Sequence, residues 1–190
     1  MILLASQSPR RKEILEMAQI PFRILAADID ETPPQGIPPA DIPMRLAQEK
    51  AEKVLPHKQQ GEIILAADTL VYLGDDILGK PLNKAEGVAM LKALSGNRHE
   101  VITGVCILSD SFTSVFSCKT IVHFHKLTDS EINYYVENFM PMDKAGAYAC
   151  QEWIGAIGIR QFEGDYWNVV GLPIQAVYQE LKKHHFSPKQ

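Results

Sequence analysis

The chain has 190 residues, 46% of them apolar and 22% charged, with a formal net charge of −4. This composition excludes a disordered chain, and its acidic balance excludes a general affinity for nucleic acid. No stretch approaches the ~20 apolar residues of a membrane helix. The apolar start at residues 1–5 is too short for a signal peptide, and Arg10 and Arg11 follow it rather than precede it. The expectation is a single cytoplasmic domain over residues 1–190, with no nucleic-acid or membrane partner. Cys106, Cys118 and Cys150 are odd in number and never spaced as Cys-x-x-Cys, which points to free thiols rather than a disulfide framework or zinc knuckle.

In chain order, residues 1–5 read as a short apolar strand. Residues 9–19 read as a helix with Ser8 as N-cap, Pro9 at its first position and Ile14, Leu15 and Ala18 on one face. A strand over 22–26 is followed by a loop with five prolines between residues 32 and 43. The next helix spans 43–55. An apolar strand over 62–67 ends before Asp68, and residues 70–72 and 77–78 flank a turn at Gly74-Asp75-Asp76. Asn83-x-x-Glu86 and Thr128-x-x-Glu131 have the form of capping boxes, each opening a helix. Residues 99–108 and 115–125 pair as a long hairpin, residues 164–173 form a loop, and a last helix over 172–184 starts with Pro173 at its first position. The mixed order of strands and helices predicts α/β with a mixed sheet rather than a doubly wound fold.

Two familiar patterns fail. Gly74-x-x-x-x-Gly79-Lys80-Pro81 nearly spells a P-loop, but Pro81 supplies neither the hydroxyl nor the helix N–H that a metal-bound phosphate needs. Gly155-x-x-Gly158 lacks the first glycine of a dinucleotide fingerprint. His123 and His125 share a strand face but have no third ligand nearby, so solvent-facing positions are the favoured reading.

The strongest local signal is Ser6-Gln7-Ser8-Pro9-Arg10-Arg11-Lys12. Three cations occupy a helix first turn, where the dipole favours acids, so the choice works against local stability. Free N–H groups, serine hydroxyls and arginine forks together suit a multiply charged anion, although a basic surface turn is an equal reading of this segment alone. Asp68-Thr69 after an apolar strand is an acid-hydroxyl pair where α/β folds place catalytic groups, at the carboxyl end of a strand. A buried structural Asp is the competing reading there. Lys80 lies between Gly79 and Pro81, Asp143-Lys144 precedes a small-residue run, and Asp28, Asp30 and Glu31 cluster three carboxylates.

Taken in series, Ser6-x-Ser-Pro-Arg-Arg, Asp28-x-Asp-Glu31, Lys50-Ala51, Ala67-Asp68-Thr69, Gly79-Lys80-Pro81, Ser95-Gly96-x-x-His99-x-Val101-x-Thr103-Gly104, Asp143-Lys144-Ala145-Gly146-Ala147-Tyr148 and Asn168-Val169-x-Gly171-Leu172-Pro173 resemble the Maf family of nucleoside triphosphate pyrophosphatases. The resemblance covers nearly the whole chain. It implies a two-lobed mixed sheet flanked by helices, of the inosine-triphosphatase (Maf/Ham1) type with a central cleft. It also implies homodimers and cleavage of a nucleoside triphosphate to the monophosphate and pyrophosphate with Mg2+ or Mn2+. On that reading Ser6, Ser8, Arg10, Arg11, Lys50, Lys80 and Lys144 hold phosphates, Glu31 and Asp68 hold the metal, and Asp68 is the proton acceptor. Cations gathered around Asp68 favour a second role, holding metal and orienting water.

Arg11, Thr69 and Gln151 resemble the specificity trio of the subgroup acting on dTTP and UTP. One carboxamide donates to a pyrimidine O4 and accepts from N3–H. The chain departs from the family pattern at Phe139-Met140, where Gly-Glu is common, and at Glu152-Trp153-Ile154, where a glycine-rich turn is common. Phe139 and Trp153 read either as an aromatic wall for the base or as packing. The alternative function is a nucleotide-binding regulator of cell division, a septum formation inhibitor with little turnover.

Overall fold

The computed structural model describes residues 1–30, 32 and 36–186. Strands β1 (Ile2–Leu4), β2 (Phe22–Ile24), β3 (Ile63–Leu73), β4 (Asp76–Leu78), β5 (Arg98–Leu108), β6 (Thr113–Phe124) and β7 (Ile159–Glu163) are interspersed with helices α1 (Pro9–Met17), α2 (Ile42–Val54), α3 (Lys84–Leu94), α4 (Asp129–Phe139), α5 (Trp153–Gly158), α6 (Tyr166–Val170) and α7 (Ile174–Lys183). The strands hydrogen-bond in the order β2-β1-β3-β5-β6-β7, with β4 on β3. β1 runs parallel to β2 and β3, whereas β4 and β7 pair antiparallel, so the sheet is mixed as the sequence predicts. The chain groups into two compact units. The first holds Met1–Asp68, Thr103–Cys118 and the chain from Gly171, and the second holds Thr69–Ile102 and Lys119–Val170. No helix among the described residues is long and apolar enough to cross a membrane.

In the first unit β1 is wholly buried, as expected for a parallel strand covered on both faces. Leu3 and Ala5, Ile64 and Ala66 of β3, and Cys106 of β5 form one core with Ala47, Ala51 and Val54 of α2. These α2 positions recur at helical spacing, and small residues let the helix lie close to the strands. The approach is closest at Gly104, where an added Cβ would fall 2.2 Å from the Pro43 carbonyl carbon and the Met44 nitrogen. Gly104 therefore sets the seat of the α2 N-terminus.

In the second unit α3 and α4 carry the two capping signals to different degrees. Thr128 and Glu131 complete a reciprocal box. Asn83 accepts from Glu86 N–H at 3.0 Å, but the Glu86 carboxylate accepts from Leu82 N–H instead, giving half a box. His123 pairs with Glu163 of β7 at 2.7 Å.

The structure corrects the expected elements in four places. β3 is one strand of 11 residues, so Asp68 lies inside it and not at its carboxyl end; a buried partner makes a charged residue tolerable within a strand. Pro173 is the N-cap of α7 and not its first helical residue. Residues 164–173 contain α6. α5 and β7 were not expected. α5 has only six residues, two of them poor helix-forming glycines, and β7 shows no alternation of buried and exposed residues.

Candidate active site

The segment after β1 is built around Ser6, which is 7% exposed. Its Oγ accepts from Ser8 N–H at 3.2 Å and from Arg11 Nη1 at 3.0 Å. With both lone pairs engaged, the hydroxyl proton is what Ser6 has left to offer, and a donor is what an anion needs. Arg11, expected among the phosphate-binding cations, is buried, and its Nε donates to the Gly171 carbonyl at 2.9 Å. Gly171 has φ 124°, which a residue with a side chain adopts only under strain. Ser8 is the N-cap of α1 yet makes no side-chain cap bond, and no acid lies in the first turn. The helix start thus keeps the features that suit phosphate. Arg10 is half-buried on the same turn, and Lys12 pairs outward with Glu16 at 3.6 Å.

Lys50 and Asp68 form the second cluster. Lys50 Nζ donates to Asp68 Oδ1 at 2.5 Å, and both side chains are buried. Asp68 shares its strand face with Ile64 and Ala66, the face that α2 covers, and Lys50 precedes the buried Ala51 on that helix. Burial of an ion pair costs more in desolvation than it returns unless geometry is good, so this pair is weak evidence of stabilisation. The register sets Leu4 opposite Leu65 in parallel strands. Ser6 and Asp68 lie two and three residues further on, so both reach the same end of the paired strands.

A carboxylate oxygen is a hard donor of the kind Mg2+ and Mn2+ prefer, and Mg2+ commonly takes one or two carboxylates plus substrate phosphates rather than a protein cage. Asp68 fits that requirement. No group of three or more His, Cys, Asp or Glu side chains suited to a metal occurs among the described residues. Glu31, the other expected ligand, lies outside the described residues.

The second unit brings together the loops of Lys80 and Lys144. Gly146 N–H donates to the Gly79 carbonyl at 3.0 Å, and Gly146 has φ 69° with Val71 pressed against the side a Cβ would take. Lys80 is exposed, whereas Lys144 is 8% exposed and bonded to Asp143 Oδ1 at 2.7 Å. Thr69 is half-buried on β3. Gln151 is exposed, and its Oε1 accepts a long contact from the Cys150 thiol at 3.7 Å. Phe139 stacks on Tyr135 at 5.0 Å, and Trp153 meets Tyr134 edge-on at 4.9 Å. Phe139 thus packs within α4 and Trp153 against the same helix.

The whole length of this arrangement matches one family: a family model described as Maf-like protein matches residues 1–184. The chain belongs to the Maf family. This Maf chain is 47% identical to a protein of Parabacteroides distasonis over 186 residues, covering 97% of the chain and 95% of the relative. It is 44% identical to one of Bacteroides thetaiotaomicron, covering 96% and 95%. Both relatives are named dTTP/UTP pyrophosphatase. Among solved structures, the Staphylococcus aureus Ham1 protein matches with a TM-score of 0.55 at 15% identity, covering 96% of the chain and 98% of that protein. That likeness shows the fold, a mixed sheet flanked by helices of the Ham1 type.

Several residues of the Maf chain were not singled out from sequence for the contacts they make. Gly171 accepts from the Arg11 guanidinium, Gly104 seats α2, and Tyr135 binds Glu152, whose other carboxylate oxygen lies 3.4 Å from Lys144 Nζ. Gly104 and Gly171 lie inside recognised motifs, and Glu152 is one of the departures from the family pattern. Tyr135 left no sequence signal, because an inward tyrosine at helical spacing reads as core.

Proposed function

We propose that this Maf chain hydrolyses dTTP and UTP to the nucleoside monophosphate and pyrophosphate, acting in the cytoplasm as a homodimer. The observation that carries the reading is the buried pair of Lys50 on α2 and Asp68 on β3, set in a chain similar along its length to proteins named for that activity. Water must reach the α-phosphorus and pyrophosphate must leave, a task met almost entirely by positioning and charge neutralisation. Asp68 orients the attacking water and takes its proton, and Lys50 fixes the Asp68 carboxylate through Oδ1. Ser6 donates its hydroxyl proton to a phosphate oxygen, with Arg11 and Gly171 holding Ser6 in place. Ser8, Arg10, Lys80 and Lys144 supply the remaining donors and positive charge to the phosphates. Mg2+ or Mn2+, held by Asp68 and Glu31, would neutralise phosphate charge. Arg11, Thr69 and Gln151 set the preference for uracil and thymine, Gln151 by donating to O4 and accepting from N3–H.

Initial rates on UTP, dTTP, CTP and GTP with Mg2+ test the substrate class. The expected order places UTP and dTTP well above CTP and GTP, and a clear purine preference overturns the assignment of Gln151.

A further inference from the structure

Glu152 is the N-cap of α5, yet its carboxylate makes no cap bond to that helix. It points elsewhere. Its Oε2 accepts from the Tyr135 hydroxyl, and its Oε1 lies 3.4 Å from Lys144 Nζ. Tyr135 is fully buried on α4, and its oxygen also accepts from Ala149 N–H at 3.2 Å. One phenol thus ties down a carboxylate and the backbone of the turn that carries Gln151. The turn is closed by Glu152 N–H to the Ala149 carbonyl at 3.1 Å and by Gly155 N–H to the Glu152 carbonyl at 3.0 Å. Gly155 is required there, since an added Cβ would fall 1.9 Å from the Cys150 carbonyl oxygen. Asp143 and Glu152 lie 2.7 and 3.4 Å from Lys144 Nζ, which fixes its ammonium. Burial and the Glu152 carboxylate push the Tyr135 phenol up, so it stays a neutral donor.

The Glu152 carboxylate is thus committed to Tyr135 and Lys144 and not to its own helix. We infer that Glu152 and Tyr135 are positioning residues for substrate recognition, holding Lys144 for a phosphate and Gln151 for the pyrimidine edge from one shared anchor. The inference rests on the dTTP/UTP pyrophosphatase reading.

The test uses the full chain carrying Glu152→Gln, Tyr135→Phe, or both. Glu152→Gln keeps an acceptor for Tyr135 and removes only the charge facing Lys144, so it preserves the shape of the turn. In each single variant KM for UTP rises about five- to tenfold, while kcat falls less than threefold. The ratio of kcat/KM for UTP over CTP falls in Tyr135→Phe, which frees the turn that carries Gln151, and KM in the double variant is no higher than in the more affected single one, because the two residues share one anchor. A purely structural role would lower thermal stability and leave KM and the UTP/CTP ratio unchanged; that result overturns the inference even where the wild type hydrolyses UTP. Absence of turnover in the wild type overturns the hydrolase reading itself, and the inference with it.

Discussion

At Asp68 the carboxylate is buried and its Oδ1 is occupied by Lys50. Asparagine in its place keeps the size and an acceptor oxygen for Lys50, but loses the charge that takes a proton from water. Asp68→Asn is therefore expected to lower kcat by about 10²- to 10⁴-fold, the usual contribution of a positioned base. UTP affinity is expected to remain, since Ser6, Arg10, Lys80 and Lys144 are untouched. Calorimetric titration of UTP alongside steady-state turnover separates the two effects, and near-normal turnover would remove Asp68 from the chemistry. Arg11 shows a different division of labour. Its Nε and Nη1 donate to Gly171 and Ser6, so on the proposed reading it serves the phosphates through the serine as well as through its charge.

At the scale of elements, the position of Lys50 depends on how α2 sits on the sheet, and that depends on Gly104. A Cβ at 2.2 Å from backbone atoms of Pro43 and Met44 has no flexible side chain to displace, so the helix itself must shift. Gly104→Ala is expected to destabilise the protein by about 1–3 kcal/mol in urea denaturation, the range for overpacking. It is also expected to lower kcat more than it raises KM, because Lys50 is drawn away from Asp68. An unchanged kcat would show that α2 does not set the pair. Much of this level was legible in the sequence. The α1 and α2 helices, the hairpin of β5 and β6 and the Thr128 box carry periodic or capping signals that local chemistry alone decides. The continuity of β3 through Asp68 was not legible, because the residue that makes the charge tolerable, Lys50, is 18 positions away. The same holds for Glu152, whose partner Tyr135 comes from another helix. The motif residues were legible as a set, while their pairings exist only in the fold.

Across the whole molecule, acid acts on the two units through different groups. His99, in the second unit, is 2% exposed and hydrogen-bonds the buried Tyr148 hydroxyl at 2.7 Å. Burial, with a smaller push from His123, lowers its pKa from 6.5 to about 4. The unfolded chain therefore binds more protons than the folded one between those values, and the stability present above pH 6.5 is lost as pH falls towards 4, on the order of 3 kcal/mol in all. In the first unit the Arg23 guanidinium holds the Glu62 carboxyl down at about 2 from 4.5, so its contribution is present above pH 4.5 and fades below it. Trp153 and Trp167 both lie in the second unit, so their fluorescence reads it directly. The thermal midpoint followed by fluorescence should fall from pH 7 to pH 4.5, and His99→Phe should give a lower but flatter profile over that range. A parallel slope in the variant would remove His99 as the cause. The central claim, that the chain cleaves between the α- and β-phosphates, is tested by incubating it with UTP and Mg2+ and following the products by phosphorus NMR. UMP and pyrophosphate in equal amounts are predicted; UDP and orthophosphate, or intact UTP, would contradict the account.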